Sequence, residues 1–338
     1  DYPGLCQADT LTGRCLSRVS TINCEPRPAT GQLQLRDLSL HNLHNVSVAI
    51  PTGVLTVVTG VAGSGKSTLV NRLLPRNYPD AVLIDQGALG GTRRSSVVSY
   101  IGALDAVRAL FARTSGQPVS LFSNNAQGAC PACKGLGLIY TDLAFMDSVE
   151  TPCEACASTG FSQAARAVTW QGLNIAQVLG VCVTEAMAFF IGQTEIIDFL
   201  RRLVRVGLGY VALGQRLSTL SGGERQRLKL ASRLEGDGSL YLFDEPTTGL
   251  HRADVDRLLG LFDELTHKGH TVIVVEHNLD VIAHADWLIE MGPGAGHKGG
   301  AVIFEGTPLA MLEASGSITG AFLRTHATPR PGAVAAWR

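Results

Sequence analysis

The sequence predicts an α/β protein: a P-loop nucleotide-binding sheet, split by a helical insertion that carries a cysteine module. Three observations predict it. Gly60-Val61-Ala62-Gly63-Ser64-Gly65-Lys66-Ser67-Thr68 fits G-x-x-x-x-G-K-[ST] between an apolar β-branched run and a helix-like stretch. Short apolar runs at Val54–Thr59, Leu240–Phe243 and Thr271–Val275 read as buried strands, each followed by polar residues. Two CxxC pairs lie between the first and second of these runs.

The glycines of the first motif let backbone N–H groups turn inward on phosphate oxygens without a Cβ in the way. The helix N-terminus that follows adds partial positive charge. Lys66 is placed to reach β- and γ-phosphates, and the Ser67 hydroxyl to ligate Mg²⁺. A bare glycine-rich turn would not need the lysine and hydroxyl that complete the motif.

With 338 residues, 45% hydrophobic and 17% charged, the chain can bury a sizeable core. Its net charge of −1 gives no global support for nucleic-acid binding, although a local basic face remains compatible with it. No uninterrupted apolar run reaches about 18 residues, so no membrane span is expected. No basic segment leads into an apolar one at the start, so no secretory signal is expected, and a cytoplasmic location follows. Because the chain opens on Asp1, a fragment or processed product is expected.

In chain order, residues 1–30 read as a leader or linker, and 31–86 as the first part of the ATP-binding core. Leu33, Leu35 and Leu38 lead in, Val46, Val48 and Ile50 alternate, and Pro51-Thr52-Gly53 turns into the Val54 strand. The helix after the phosphate loop is expected to end before Pro75. Ala81–Asp85 is a short strand, with Gln86 at its C-terminal end, where open α/β sheets place ligands. Residues 87–215 form the insertion. Asp105–Ala112 is expected to be helical, and Arg93, Arg94, Arg108 and Arg113 make a loose basic cluster.

Cys130, Cys133, Cys153 and Cys156 follow C-x₂-C-x₁₉-C-x₂-C. Two knuckles of paired thiolates complete a tetrahedron, so residues 130–156 are expected to hold Zn²⁺. Four thiolates leave no open position, which makes that zinc structural. Cys6, Cys15, Cys24 and Cys182 are scattered, and beside a nucleotide motif the pairs indicate metal in a reducing compartment. Thr184 and Thr194 are expected N-caps, and Ile196, Ile197, Leu200, Leu203 and Val204 keep helical spacing.

Residues 216–316 read as the second part of the core and 317–338 as a loose tail. Ser221 and Glu224 form an S-x-x-E capping box. Gly222 and Gly223 behind it weaken a helix start, which an approaching phosphate explains. Asp244 and Glu245 end the Leu240 strand. Asp244 suits Mg²⁺, and Glu245 suits a base polarising the attacking water. Asp254–Lys268 is an amphipathic helix. His277, after the Thr271 strand, is placed for a γ-phosphate contact.

The order of glycine-rich loop, Gln86, Leu220-Ser221-Gly222-Gly223-Glu224, Asp244-Glu245-Pro246 and His277 resembles the ATP-binding cassette (ABC) family. The resemblance implies that two cassettes sandwich two ATPs. Lys66, Ser67, Gln86, Asp244, Glu245 and His277 would serve one, and Ser221, Gly222 and Gly223 would cap the one held by a partner cassette. A single cassette would then be a weak ATPase. Within that family the chain resembles the C-terminal half of the UvrA excinuclease subunit. The 155 positions from Lys66 to Ser221 leave room for a zinc module where UvrA carries one. Further UvrA-like phrases run from Leu11 to Arg14, Val206 to Tyr210, Asp244 to His251, Glu276 to Asp280, and Ala285 to Trp287 with Gly292-Pro293-Gly294.

This resemblance implies a DNA-binding ATPase that recognises damage in nucleotide excision repair. Its partners would be double-stranded DNA, a second cassette (a missing N-terminal half or a second copy) and a UvrB-type repair subunit. No membrane is implied. Departures leave alternatives. The knuckle Cys156-Ala157-Ser158-Thr159-Gly160 lacks UvrA's usual glycine-plus-basic run, and Gln86–Thr92 replaces a more polar segment. Gly128–Cys133 through Asp142 is more similar to UvrA paralogues of drug self-protection, so resistance to a DNA-binding drug is one alternative. A transporter's nucleotide-binding subunit is another, disfavoured by the cysteine module. An inactive fragment is the last.

Overall fold

The computed structural model describes residues 4, 8–10, 12–13, 20–85, 87, 89–92, 94–143, 146–234 and 240–329. Gln86, Arg93, Cys6, Cys15 and residues 330–338 lie outside them. The chain divides into two units, residues 1–87 with 235–338, and residues 88–234.

The first unit is built on a six-stranded sheet. Its strands lie in the order Ala301–Gly306, Trp287–Gly292, Leu55–Gly60, Thr271–Val275, Leu240–Asp244, Val82–Ile84. The last five are mutually parallel, and Ala301–Gly306 is an antiparallel edge. Parallel strands covered on both faces should be apolar throughout, and Val272, Ile273, Val274 and Val275 are each fully buried. A long antiparallel hairpin, Gly31–Leu40 with Leu43–Thr52, buries Leu35, Leu43, Val46, Val48 and Ile50 in the same core.

The helix after the phosphate loop runs through Lys66–Thr68, a π-helical turn Leu69–Leu73, and Leu74–Asn77. It therefore passes Pro75 rather than stopping before it. The π-helical register just ahead of Pro75 accommodates a residue that lacks the N–H an α-helical ladder needs.

Described segments near both ends of the chain are more ordered than expected. Ser20–Ile22, within the expected leader, pairs in parallel with Ala327–Pro329. Arg27 binds the buried Asp286 through Nε at 2.9 Å and Asp263 through Nη2 at 2.9 Å. The expected loose tail opens on a helix, Ile318–His326, capped by Ser317 and anchored by a Thr319 N–H donating to buried Glu290 at 3.0 Å. Tertiary bonds to distant residues hold these segments, and local composition does not register them.

The second unit is mainly helical. The expected helix appears as Ala103–Ser115, with Val107 and Phe111 buried and Phe111 packed on Phe122 at 5.4 Å between ring centroids. Thr194–Arg205 buries Ile196, Leu200 and Leu203 as the spacing requires, while Val204 is exposed. Its cap is Gln193, and the cap of Val183–Phe189 is Cys182. Thr184 is drawn elsewhere: its hydroxyl donates to the Gly209 carbonyl at 3.0 Å. The expected boundary at 215/216 falls inside this unit, which runs on to Leu234 and so includes Ser221 and its helix. No helix among the described residues is long and apolar enough to cross a membrane.

Candidate nucleotide site and cysteine centre

Three adjacent parallel strands bring the first set of residues together. Val275 lies opposite both Val58 and Asp244 in register, so the phosphate loop, the Asp244-Glu245 pair and the Glu276-His277 pair leave the sheet side by side. Gly60 closes its strand at φ 126°, and a Cβ there would collide with the Met291 carbonyl. The following helix begins at Lys66 with no side-chain cap. Its first N–H groups have no intrahelical acceptor and present partial positive charge, as a phosphate site requires. The buried Ser64 hydroxyl in the same loop also finds no partner among the described residues.

Lys66 is 5% exposed and donates to the Gly60 and Val61 carbonyls, both at 2.9 Å. Burial lowers the pKa of its ammonium, while the charges of Glu245 and Asp244 act the other way. Asp244 faces the helix: Ser67 Oγ lies 3.5 Å from one of its oxygens, and Asn71 Nδ2 donates to the other at 2.5 Å. Burial pushes the Asp244 carboxyl above the usual carboxylate range, and Glu245 and Asp85 add to this, against the hydrogen bonds from Asn71 and Ser67. A carboxylate that is costly to ionise, set beside a hydroxyl, suits a divalent cation, which reverses the penalty.

Glu245 adopts φ 46°, in the left-handed region unusual for a side chain with Cβ, immediately before Pro246. Its N–H donates to the Val275 carbonyl at 2.9 Å, which pins the turn. His277 Nε2 lies 3.4 Å from Glu245 Oε1, and both side chains are half exposed. The two residues given a water-activating role and a γ-phosphate role are therefore neighbours.

Sequence reasoning gave no role to two residues here. Glu276 is 2% exposed, and its carboxylate ties both loops together. Oε1 accepts from Thr247 N at 2.8 Å and Thr247 Oγ1 at 2.7 Å. Oε2 accepts from His277 N at 2.8 Å and Asn278 N at 3.0 Å. Asn71 is the other. It stands one helical turn beyond Ser67, and that i,i+4 spacing was the available signal.

Ser221, Gly222 and Gly223 lie in the helical unit. Ser221 accepts from Glu224 N, and Glu224 Oε2 accepts from Ser221 N at 2.7 Å, so the expected capping box is formed at the start of Gly222–Arg233. Tyr210 donates to Glu224 Oε1 at 2.7 Å. Burial works against the Glu224 carboxylate, but its bonds to Ser221 and Tyr210 outweigh this and hold its pKa below the ordinary value.

The four cysteines converge in the same unit. Cys130, Cys133, Cys153 and Cys156 are all buried, and their sulfurs lie within 4.8 Å of one another. Gly137 N donates to Cys133 Sγ at 3.2 Å and Gly160 N to Cys156 Sγ at 3.3 Å. These N–H···S bonds favour thiolate on each knuckle. Burial opposes ionisation of Cys130, yet the N–H groups of Cys133 and Ala132 bring it down to about 7, while burial pushes Cys156 up to about 12. The donor set fits one tetrahedral, thiophilic ion.

A family model described as ABC transporter matches residues 43–248. The chain is 41% identical over 350 residues to the UvrABC system protein A of Staphylococcus epidermidis, covering 93% of this chain and 37% of that protein. The corresponding protein of Streptomyces avermitilis is 42% identical over 356 residues, covering 95% and 35%. The crystal structure of UvrA2 from Deinococcus radiodurans superposes with a TM-score of 0.87 at 39% identity, covering 96% of this chain and 43% of that one. The chain thus spans well under half the length of these relatives.

Proposed function

Because the chain belongs to the ABC ATPase superfamily and is homologous over most of its length to UvrA proteins, we propose that it is the ATP-hydrolysing cassette of a UvrA-like DNA-binding protein. The meeting of Lys66, Asp244, Glu245 and His277 at the ends of three neighbouring strands supports hydrolysis most directly. The four-cysteine cluster between the phosphate loop and Ser221 supports a UvrA-like protein over a transporter subunit.

Bound Mg²⁺-ATP supplies the electrophilic γ-phosphorus and the cation that neutralises its oxygens. Lys66 would exchange the Gly60 and Val61 carbonyls for phosphate oxygens, whose charge offsets the cost of burying its ammonium. Ser67 and Asp244 would hold the cation, with Asn71 fixing the second Asp244 oxygen. Glu245 orients the attacking water and takes its proton. His277, beside it, donates toward the γ-phosphate. Gln86 is assigned to the same ATP by the family resemblance.

Ser221, Gly222 and Gly223 cap ATP on a second cassette, either a further copy or one in another part of a longer chain. Zn²⁺ on the four cysteines is structural. Duplex DNA is the substrate surveyed, in nucleotide excision repair, with a UvrB-type subunit downstream in the cytoplasm.

Fluorescence anisotropy of intact and lesion-bearing duplexes, with and without ATP, tests this reading. Tighter, ATP-modulated binding to the lesion is expected. Binding that ignores the lesion but responds to a DNA-binding drug would replace repair by self-protection. An absence of DNA binding under every condition would refute both.

A further inference from the structure

The helical unit contains a cavity of about 450 Å³ that none of these roles uses. Gly135, Leu136 and Ser158 of the cysteine knuckles form one wall. Three arginines, Arg94, Arg108 and Arg216, also line it, and no carboxylate does. Leu104, Phe161 and Leu179 supply an apolar floor.

Backbone carbonyls hold Arg94 and Arg216, and an ion pair with Asp105 holds Arg108. Arg94 Nη2 donates to the Lys134 carbonyl at 2.9 Å, and Arg216 Nη2 donates to the Leu136 carbonyl. Arg108 Nη1 meets Asp105 at 2.9 Å, but the Asp105 side chain is 89% exposed and solvent screens it. The buried Arg108 Nε finds no partner among the described residues. A guanidinium carries five N–H donors, so these bonds leave several on each group. The lining thus carries three guanidinium groups and no carboxylate, and the recess has the size and mixed lining of a small-molecule site.

We propose that this cavity binds a small organic anion: a phosphate, sulfonate or carboxylate carried on an apolar body. The charged group meets the arginines and the body lies on Leu104, Phe161 and Leu179. Arg94 and Arg216 hold the carbonyls that follow Cys133, so the occupant sits against the first knuckle and not in the ATP cradle.

The test is a fluorescence titration of the full, zinc-loaded chain with 1-anilinonaphthalene-8-sulfonate, which joins a sulfonate to an aromatic body. Saturating Mg²⁺-ATP keeps the phosphate loop filled. One site per chain is expected. Arg108→Gln should weaken it about tenfold or more, the loss of one charge-assisted contact. Arg94→Gln, at an exposed position, should do the same. With Mg²⁺-ATP raised to saturate its weakened cradle, Lys66→Ala should leave probe affinity unchanged. Equal affinity in the wild type and both arginine variants, dependence on Lys66, or no binding at all would overturn the proposal. Displacement of the probe by duplex DNA with the same arginine dependence would overturn it too, and would assign the arginines to a nucleic-acid surface.

Discussion

Replacing Glu276 by glutamine should separate ATP turnover from ATP binding. In the wild type, one carboxylate accepts four hydrogen bonds, two from Thr247 and two from the His277 and Asn278 amides. Glutamine offers one acceptor oxygen and one NH₂. If the NH₂ faces Thr247, the hydroxyl can reverse and accept, but the Thr247 amide is orphaned. If it faces the other way, the His277 and Asn278 amides are both orphaned. A hydrogen bond to a charged group is worth about 1.5–3 kcal/mol net, and an unpaired buried amide costs a similar amount. Loss of about 2–4 kcal/mol in urea unfolding follows, below the stability of a typical domain. The larger effect is kinetic. Glu276 ties the turn after Glu245 to the backbone of His277, and a shift of about 1 Å at a reacting group can cost on the order of a hundredfold. Turnover should therefore fall by about that factor. ATP affinity, set by the phosphate loop, should change by less than about threefold. A coupled ATPase assay beside a fluorescent-nucleotide titration reads both. Wild-type turnover in Glu276→Gln, or an affinity loss as large as the turnover loss, would refute the reasoning.

Lys66→Ala removes the one ammonium in the cradle, so ATP affinity should fall about tenfold or more and hydrolysis should vanish; isothermal titration would show it. Cys153→Ser takes one of four sulfurs from the cluster. Bound zinc, measured by plasma emission, should drop well below one per chain, and hydrogen exchange over residues 130–160 should speed up while ATP binding persists. Acid should destabilise the first unit through Asp280. Burial raises this carboxyl, but Ser20, His326 and Arg252 outweigh burial and hold its pKa below the ordinary value. A depressed carboxyl stabilises the fold above its unfolded value of about 4 and loses that contribution as pH falls through the folded value. Urea midpoints should fall over that window, and Asp280→Asn should flatten the slope.

The parts legible in the sequence were those encoded locally. Gly60 to Ser67 announces a phosphate loop because glycine spacing, lysine and hydroxyl are all needed within one turn. The Leu240 and Thr271 strands announce themselves because strands buried on both faces must be apolar throughout. The CxxC pairs do so because a knuckle is four residues long. What escaped was set by partners far along the chain. Glu276 looks like any acid at a strand end until Thr247 is seen above it. The helix Ile318–His326 has a weak pattern of its own and is held by Glu290. Thr184 has the chemistry of a cap, yet Gly209 claims its hydroxyl. The helix after Ser221 belongs by packing to the helical unit, although the family resemblance assigns its motif to the nucleotide.

In the proposed mechanism Glu245 activates water in an ATP site assembled on three parallel strands. Single-turnover hydrolysis of γ-labelled ATP by wild type and Glu245→Gln, with nucleotide binding measured on the same samples, tests it most directly. Unchanged ATP affinity and hydrolysis slowed by at least about a hundredfold are expected. Hydrolysis by Glu245→Gln at the wild-type rate would contradict it.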